Sequence, residues 1–148
     1  MVHFDSKRRN KVAYRFLPHT ADLIVELEAP TLEGLFVEAT SASRSLLAGD
    51  TPVAGVERRK ISLSAPSAEE LILQFVRELF TEFQLNTFVP AALEQLSITE
   101  TGASMLLSGE RFDPARHEPQ PEVKAVTRHQ LVVEETANGW RAVMVLDL

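Results

Sequence analysis

The 148 residues predict a single α+β domain, two helices packed on a mostly antiparallel or mixed β-sheet. Three observations carry this prediction. Leu23, Val25 and Leu27 alternate with Ile24, Glu26 and Glu28, the two-residue period of a strand with one buried face. Leu71, Ile72, Phe75, Val76, Leu79, Phe80 and Phe83 recur at helical spacing, a stripe broad enough to cover a sheet. Apolar runs at 131–133 and 143–146 flank Asn138-Gly139, a strong short-range hairpin signal.

The remaining elements follow in order. Residues 14–16 read as a short strand stopped by Leu17-Pro18. Thr31 is placed to cap a helix running to about Leu47, with Glu33 in its first turn and Leu32, Leu35, Phe36 and Ala39 on one stripe. Gly49 and Pro52 close it. Residues 56–64 read as a strand with Ile61 and Leu63 inward. Ser67-Ala68-Glu69-Glu70 has the form of a capping box, Ser67 and Glu70 each accepting from the other's amide. From about Leu93 the chain reads as β structure to its end, interrupted by an irregular loop at 112–121 that holds Pro114, Pro119 and Pro121.

Composition narrows the function classes. A chain of this length buries roughly 70% of its unfolded surface, so neither metal nor disulfide is needed merely to fold. Cysteine is absent, which excludes thiol nucleophiles and thiolate zinc sites and fits a cytoplasmic, reducing address. No apolar run approaches the ~20 residues of a membrane span, and the polar start is unlike a secretory signal, so no membrane association is expected. Net charge is −6, yet residues 1–15 hold five basic groups against Asp5 alone. The division expected is a basic arm over residues 1–13 and a folded, acidic domain over 14–148. An acidic body repels phosphate backbones, so direct grip on DNA or RNA by the folded part is disfavoured.

Common catalytic signatures are missing: there is no phosphate-binding loop, dinucleotide fingerprint or nucleophile elbow. What remains is polar residues in unusual places. Asp22 follows His19-Thr20-Ala21 at the start of a strand, where carboxylates are poor material. Asp147 breaks the apolar run at 143–146. Residues 122–129 alternate functional and apolar side chains, among them Glu122, Lys124 and His129. Each has a plain structural alternative: a turn cap for Asp22, a solvated end for Asp147, a surface lysine, a satisfied strand histidine. On pattern alone this is an α+β domain with a possible cation site.

Taken together, the segments resemble the archease family. The resemblance rests on His19-Thr20-Ala21-Asp22 before a short strand, on the helix block at 32–39, on Gly109-Glu110, on His117-Glu118, on the run 122–129, and on the closing Val145-Leu146-Asp147-Leu148. It departs at Pro18, where an acidic residue is usual, at 74–77, and at Arg128, where tyrosine is usual; the last two could lie on a partner surface. The resemblance implies a non-enzymatic accessory protein that activates an RtcB-type RNA ligase in tRNA splicing or RNA repair, promoting guanylation of the ligase and multiple turnover. RNA, such as tRNA exon halves, would then be an indirect partner. It also implies a divalent cation, most often Ca²⁺, held by Asp22, Asp147 and Leu148, with His19, Glu122, Lys124 and His129 available to the partner. Leu148 can contribute only main-chain oxygens, so the set is hard and all-oxygen, suited to Ca²⁺, Mg²⁺ or Mn²⁺ and not to zinc. Two other readings stay open: a free-standing metal-dependent phosphate hydrolase with Lys124 or His129 as acid–base partner, and a chaperone-like RNA-modification accessory whose basic arm meets RNA.

Overall fold

The computed structural model describes residues 13–19 and 22–148, with Pro18 and His19 described by their backbone alone. The expected basic arm lies outside the described residues, apart from Ala13. The element order is β1 (Ala13–His19), β2 (Asp22–Ala29), α1 (Leu32–Ala48), β3 (Glu57–Ser64), α2 (Ala68–Asn86), β4 (Phe88–Thr99), β5 (Gly102–Arg111), β6 (Ala125–Thr136) and β7 (Gly139–Asp147). All strand pairs are antiparallel. The domain is α+β as predicted, but its strands form two sheets, β1-β2-β7-β6 and β3-β5-β4.

Each helix touches strands of both sheets, which explains the division. One face of a single sheet could not cover α1, which buries side chains on nearly all sides. Its middle is small, with Ala39, Thr40, Ala42 and Ser43 all buried, so neighbouring elements approach closely. Thr40 satisfies its hydroxyl by donating to the Phe36 carbonyl at 2.8 Å. Phe36 meets Phe75 of α2 at 5.1 Å between ring centroids, joining the helices at the centre of the core. No helix among the described residues is long and apolar enough to cross a membrane.

Four local readings are corrected. Strand β1 continues through Leu17 and Pro18 to His19, because β1 is an edge strand and an edge proline leaves no ladder bond broken. Strand β4 begins at Phe88, five residues before the expected Leu93, and accommodates Pro90 at an irregularity in its pairing with β5. Ser67 caps α2 by accepting from the Glu70 amide at 3.2 Å, but the Glu70 carboxylate turns to Arg128 instead of closing the box. The β6–β7 hairpin turns on Ala137-Asn138, one residue early, with Thr136 and Gly139 as its closing pair. Gly139 is needed for space: a Cβ there would lie 2.3 Å from the Ala29 carbonyl oxygen.

Candidate functional site

Sheet register gathers the acidic residues. Asp22, the first residue of β2, is the direct cross-strand partner of Asp147, the last of β7. On its other side Asp22 pairs with His19 of β1, while Asp147 pairs with Ala125 of β6. Direct partners project to one face with Cβ atoms about 5 Å apart. Alternation identifies that face. Val25, Leu27 and Ala29 are buried against the helices, as are Ala142, Met144 and Leu146 on the same face of β7. Asp22 and Asp147 are therefore on the outer face, both half-buried.

Like charges placed directly opposite destabilise an antiparallel pair by up to about 1 kcal/mol. A cation between the carboxylates would reverse that sign. Among the described residues no group of three or more His, Cys, Asp or Glu side chains is arranged to hold a metal. A cation here would complete its shell from main-chain oxygens and water, which is how hard cations such as Ca²⁺, Mg²⁺ and Mn²⁺ bind. The donor set fits such an ion. Leu148 adjoins the acidic pair in sequence, and its side chain packs inward against the core, leaving only its main chain to contribute.

Of the partner-facing candidates, Lys124 lies at this end of the sheet. Its N–H donates to the Asp147 carbonyl at 2.8 Å and the residue is exposed. His19 is present through its backbone, opposite Asp22. Glu122 lies two residues before Lys124, exposed, in the irregular strap 112–124 that joins β5 to β6. His129 is apart from the others: it is exposed, four residues along β6 from Ala125, or about 13 Å at ~3.3 Å per residue. There the β6–β7 register shifts between Thr127 and Val132, and Gln130 takes a left-handed backbone with φ 58°. Arg128, a candidate surface residue, is held within the molecule by both oxygens of Glu70, with the Nη2–Oε1 bond at 2.7 Å. That guanidinium holds the Glu70 carboxyl below its usual range.

Sequence reasoning missed a buried clamp at the foot of the strap. Glu110, at the end of β5, accepts from the Ala54 amide and from the guanidinium of Arg116 at two oxygens. The fully buried His117 accepts at Nδ1 from the Asp113 N–H at 2.8 Å, which leaves Nε2 to donate to Glu110 Oε2 at 3.0 Å. The Arg116 hydrogen bonds, with help from Ala54 and His117, hold the Glu110 carboxyl down to about 2 against the opposing effect of burial. One carboxylate thus joins the loop before β3, the end of β5 and the first turn of the strap. Gly109-Glu110 and His117-Glu118 stood out in the sequence only as segments of the family resemblance, and nothing in their spacing showed that the two side chains meet.

Comparison with known proteins agrees with this architecture. The family model described as the Archease protein family matches residues 14–148. An archease of Methanosarcina mazei is 33% identical over 139 residues, covering 91% of this chain and 95% of that protein. One from Pyrococcus abyssi is 30% identical over 134 residues, covering 88% and 94%. Among solved structures, the solution structure of a Methanobacterium thermoautotrophicum protein superposes with a TM-score of 0.75 at 24% identity, covering 91% of this chain and 98% of that one. A Thermotoga maritima crystal structure, described as an archease and possible chaperone, has a TM-score of 0.60 at 18% identity, covering 99% and 100%. With a family model spanning almost every described residue and relatives matched along nearly their whole length, the chain belongs to the archease family.

Proposed function

We propose that this protein activates an RtcB-type RNA ligase in the cytoplasm, acting in tRNA splicing or RNA repair without catalysing a reaction itself. The observation that carries the reading is the direct opposition of Asp22 and Asp147 on the outer sheet face. That pairing destabilises the sheet unless a ligand relieves it, and a divalent cation is the ligand whose charge it suits. Asp22 and Asp147 would hold the ion with a main-chain oxygen of Leu148, and the exposed Lys124 beside them supplies a cation for partner contact. The ion, when bound, supplies positive charge at a rim that is otherwise acidic. The chain's own part is to fix the two carboxylates on central strands β2 and β7, where pairing on both sides limits their movement. His129 stands too far along β6 to share the acidic site, which leaves a free-standing hydrolase only Lys124 as an acid–base partner there.

The test is ligation by a cognate RtcB-type ligase with this protein at a substoichiometric ratio. The expected result is more than one sealed RNA per ligase molecule, with the protein itself forming no product. A product yield unchanged by the protein, at any ratio, removes the proposal.

A further inference from the structure

A cavity of about 550 Å³ opens between the C-terminal ends of both helices and the strap. Its walls are mostly apolar and aromatic, with Leu46 and Leu47 from α1, Phe80 and Phe83 from α2, and Phe112 from the strap. Its volume lies within the ~300–1,000 Å³ of sites that enclose whole small ligands. The aromatic wall is firmly placed: Phe83 and Phe112 meet edge to face at 5.8 Å, and Phe112 lies 5.4 Å from the buried His117 of the Glu110 clamp.

Its electrostatics have one sign. Among the residues lining the cavity Glu122 alone is ionisable. The last carbonyls of a helix lack intrahelical partners and carry the negative end of its dipole. Leu47 and Phe83 belong to the last turns of α1 and α2, and neither of those turns contains a basic residue. The Glu118 carboxylate adds to this at the α1 cap, where a Cβ on Gly49 would meet it at 3.3 Å. The end carbonyls already accept from Gly49, Thr51 and Thr87, so Glu122, Glu118 and three phenylalanine faces are what draw a cation to this apolar space, with the helix dipoles adding to them. Aromatic faces and carbonyl ends both attract cations.

We propose that this cavity binds a compact apolar ammonium ion, a free small molecule with an aryl or branched alkyl body and one amine. The apolar body fills the space between the helices, and the ammonium lies toward Glu122 and the helix ends. The site is separate from the acidic pair and does not depend on the ligase reading.

Amide NMR of the intact protein tests it, using 1-naphthylmethylammonium, the neutral 1-naphthylmethanol and the anionic 1-naphthoate. The ammonium should move the signals of Leu47, Phe83, Phe112 and Val123, binding about tenfold more tightly than the alcohol, while naphthoate leaves them in place. Glu122→Gln, an exposed change whose fold the same spectrum checks, should bring the ammonium close to the alcohol's affinity. Val123→Trp, which fills the cavity, should remove both. No movement of these signals by the ammonium overturns the proposal. Equal affinity for all three probes, or an ammonium affinity that Glu122→Gln leaves unchanged, overturns it equally.

Discussion

Replacing Glu110 with glutamine keeps the shape of the clamp and removes its charge. The Glu110 carboxyl is lowered from 4.5 to about 2 in the folded protein, chiefly by the Arg116 hydrogen bonds. At about 1.4 kcal/mol per unit, that difference sets a ceiling of about 3 kcal/mol. Glu110 is buried, but Arg116 is 52% exposed, and solvent screening reduces the realised effect to about 1–2 kcal/mol. The sign follows from linkage. A carboxyl depressed on folding stabilises the native state fully above its unfolded value of 4.5, and this is lost as pH falls toward about 2. Urea denaturation followed by circular dichroism, at steps from pH 7 to pH 2, should therefore show two things. At pH 7 the Glu110→Gln variant should be about 1–2 kcal/mol less stable, and the gap should close between pH 4.5 and 2. Other carboxylates titrate in that window, but they do so in both proteins and cancel in the difference. A gap of the same size at pH 7 and pH 2 would refute the charge argument and leave Glu110 a matter of shape alone.

Three further outcomes are expected. Asp147→Asn relieves the opposed charges, so without metal the variant should melt about 1–3 °C above the parent, whereas saturating Ca²⁺ or Mn²⁺ should raise the parent alone; differential scanning fluorimetry reads both. Gly49→Ala places a β-carbon at φ 65° and 2.9 Å from the Gln120 amide nitrogen, and should cost about 1–2 kcal/mol in denaturant titration. Lys124→Ala, at an exposed position, should change stability by less than ~0.5 kcal/mol while weakening ligase activation; a large drop in melting temperature would make Lys124 structural.

Much of the fold was legible because local periodicity agreed with tertiary demand. The alternation at 23–28 and the stripe at 71–83 became β2 and α2 because the periodicity of each survives in its buried residues. What escaped was non-local. Nothing local tells β3 to pair with β5 rather than join the other strands, since the choice is made by helices that must be covered on two sides. Glu70 looked like the second half of a capping box, and its release to Arg128 depends on a strand fifty-eight positions away. The acidic site was legible as two misplaced aspartates, but their exact opposition required the β2–β7 register. The Glu110 clamp was hidden for the same reason: its donor at Ala54 lies fifty-six positions away. Even the strap, read as irregular over 112–121 and running on to Lys124, gave no sign of the cavity behind it, because a void belongs to no residue.

The central claim, activation of a ligase through the Asp22–Asp147 pair, is tested most directly by a pulse of labelled GTP. The cognate RtcB-type ligase is incubated with label, RNA ends and a tenth-molar amount of this protein or of its Asp22→Asn variant, and guanylated ligase is counted. The account predicts that the parent raises label transfer well beyond its own molar amount, while Asp22→Asn, correctly folded by circular dichroism, leaves it near the level of ligase alone. Label transfer that the parent does not raise, or that the variant raises equally, would contradict it.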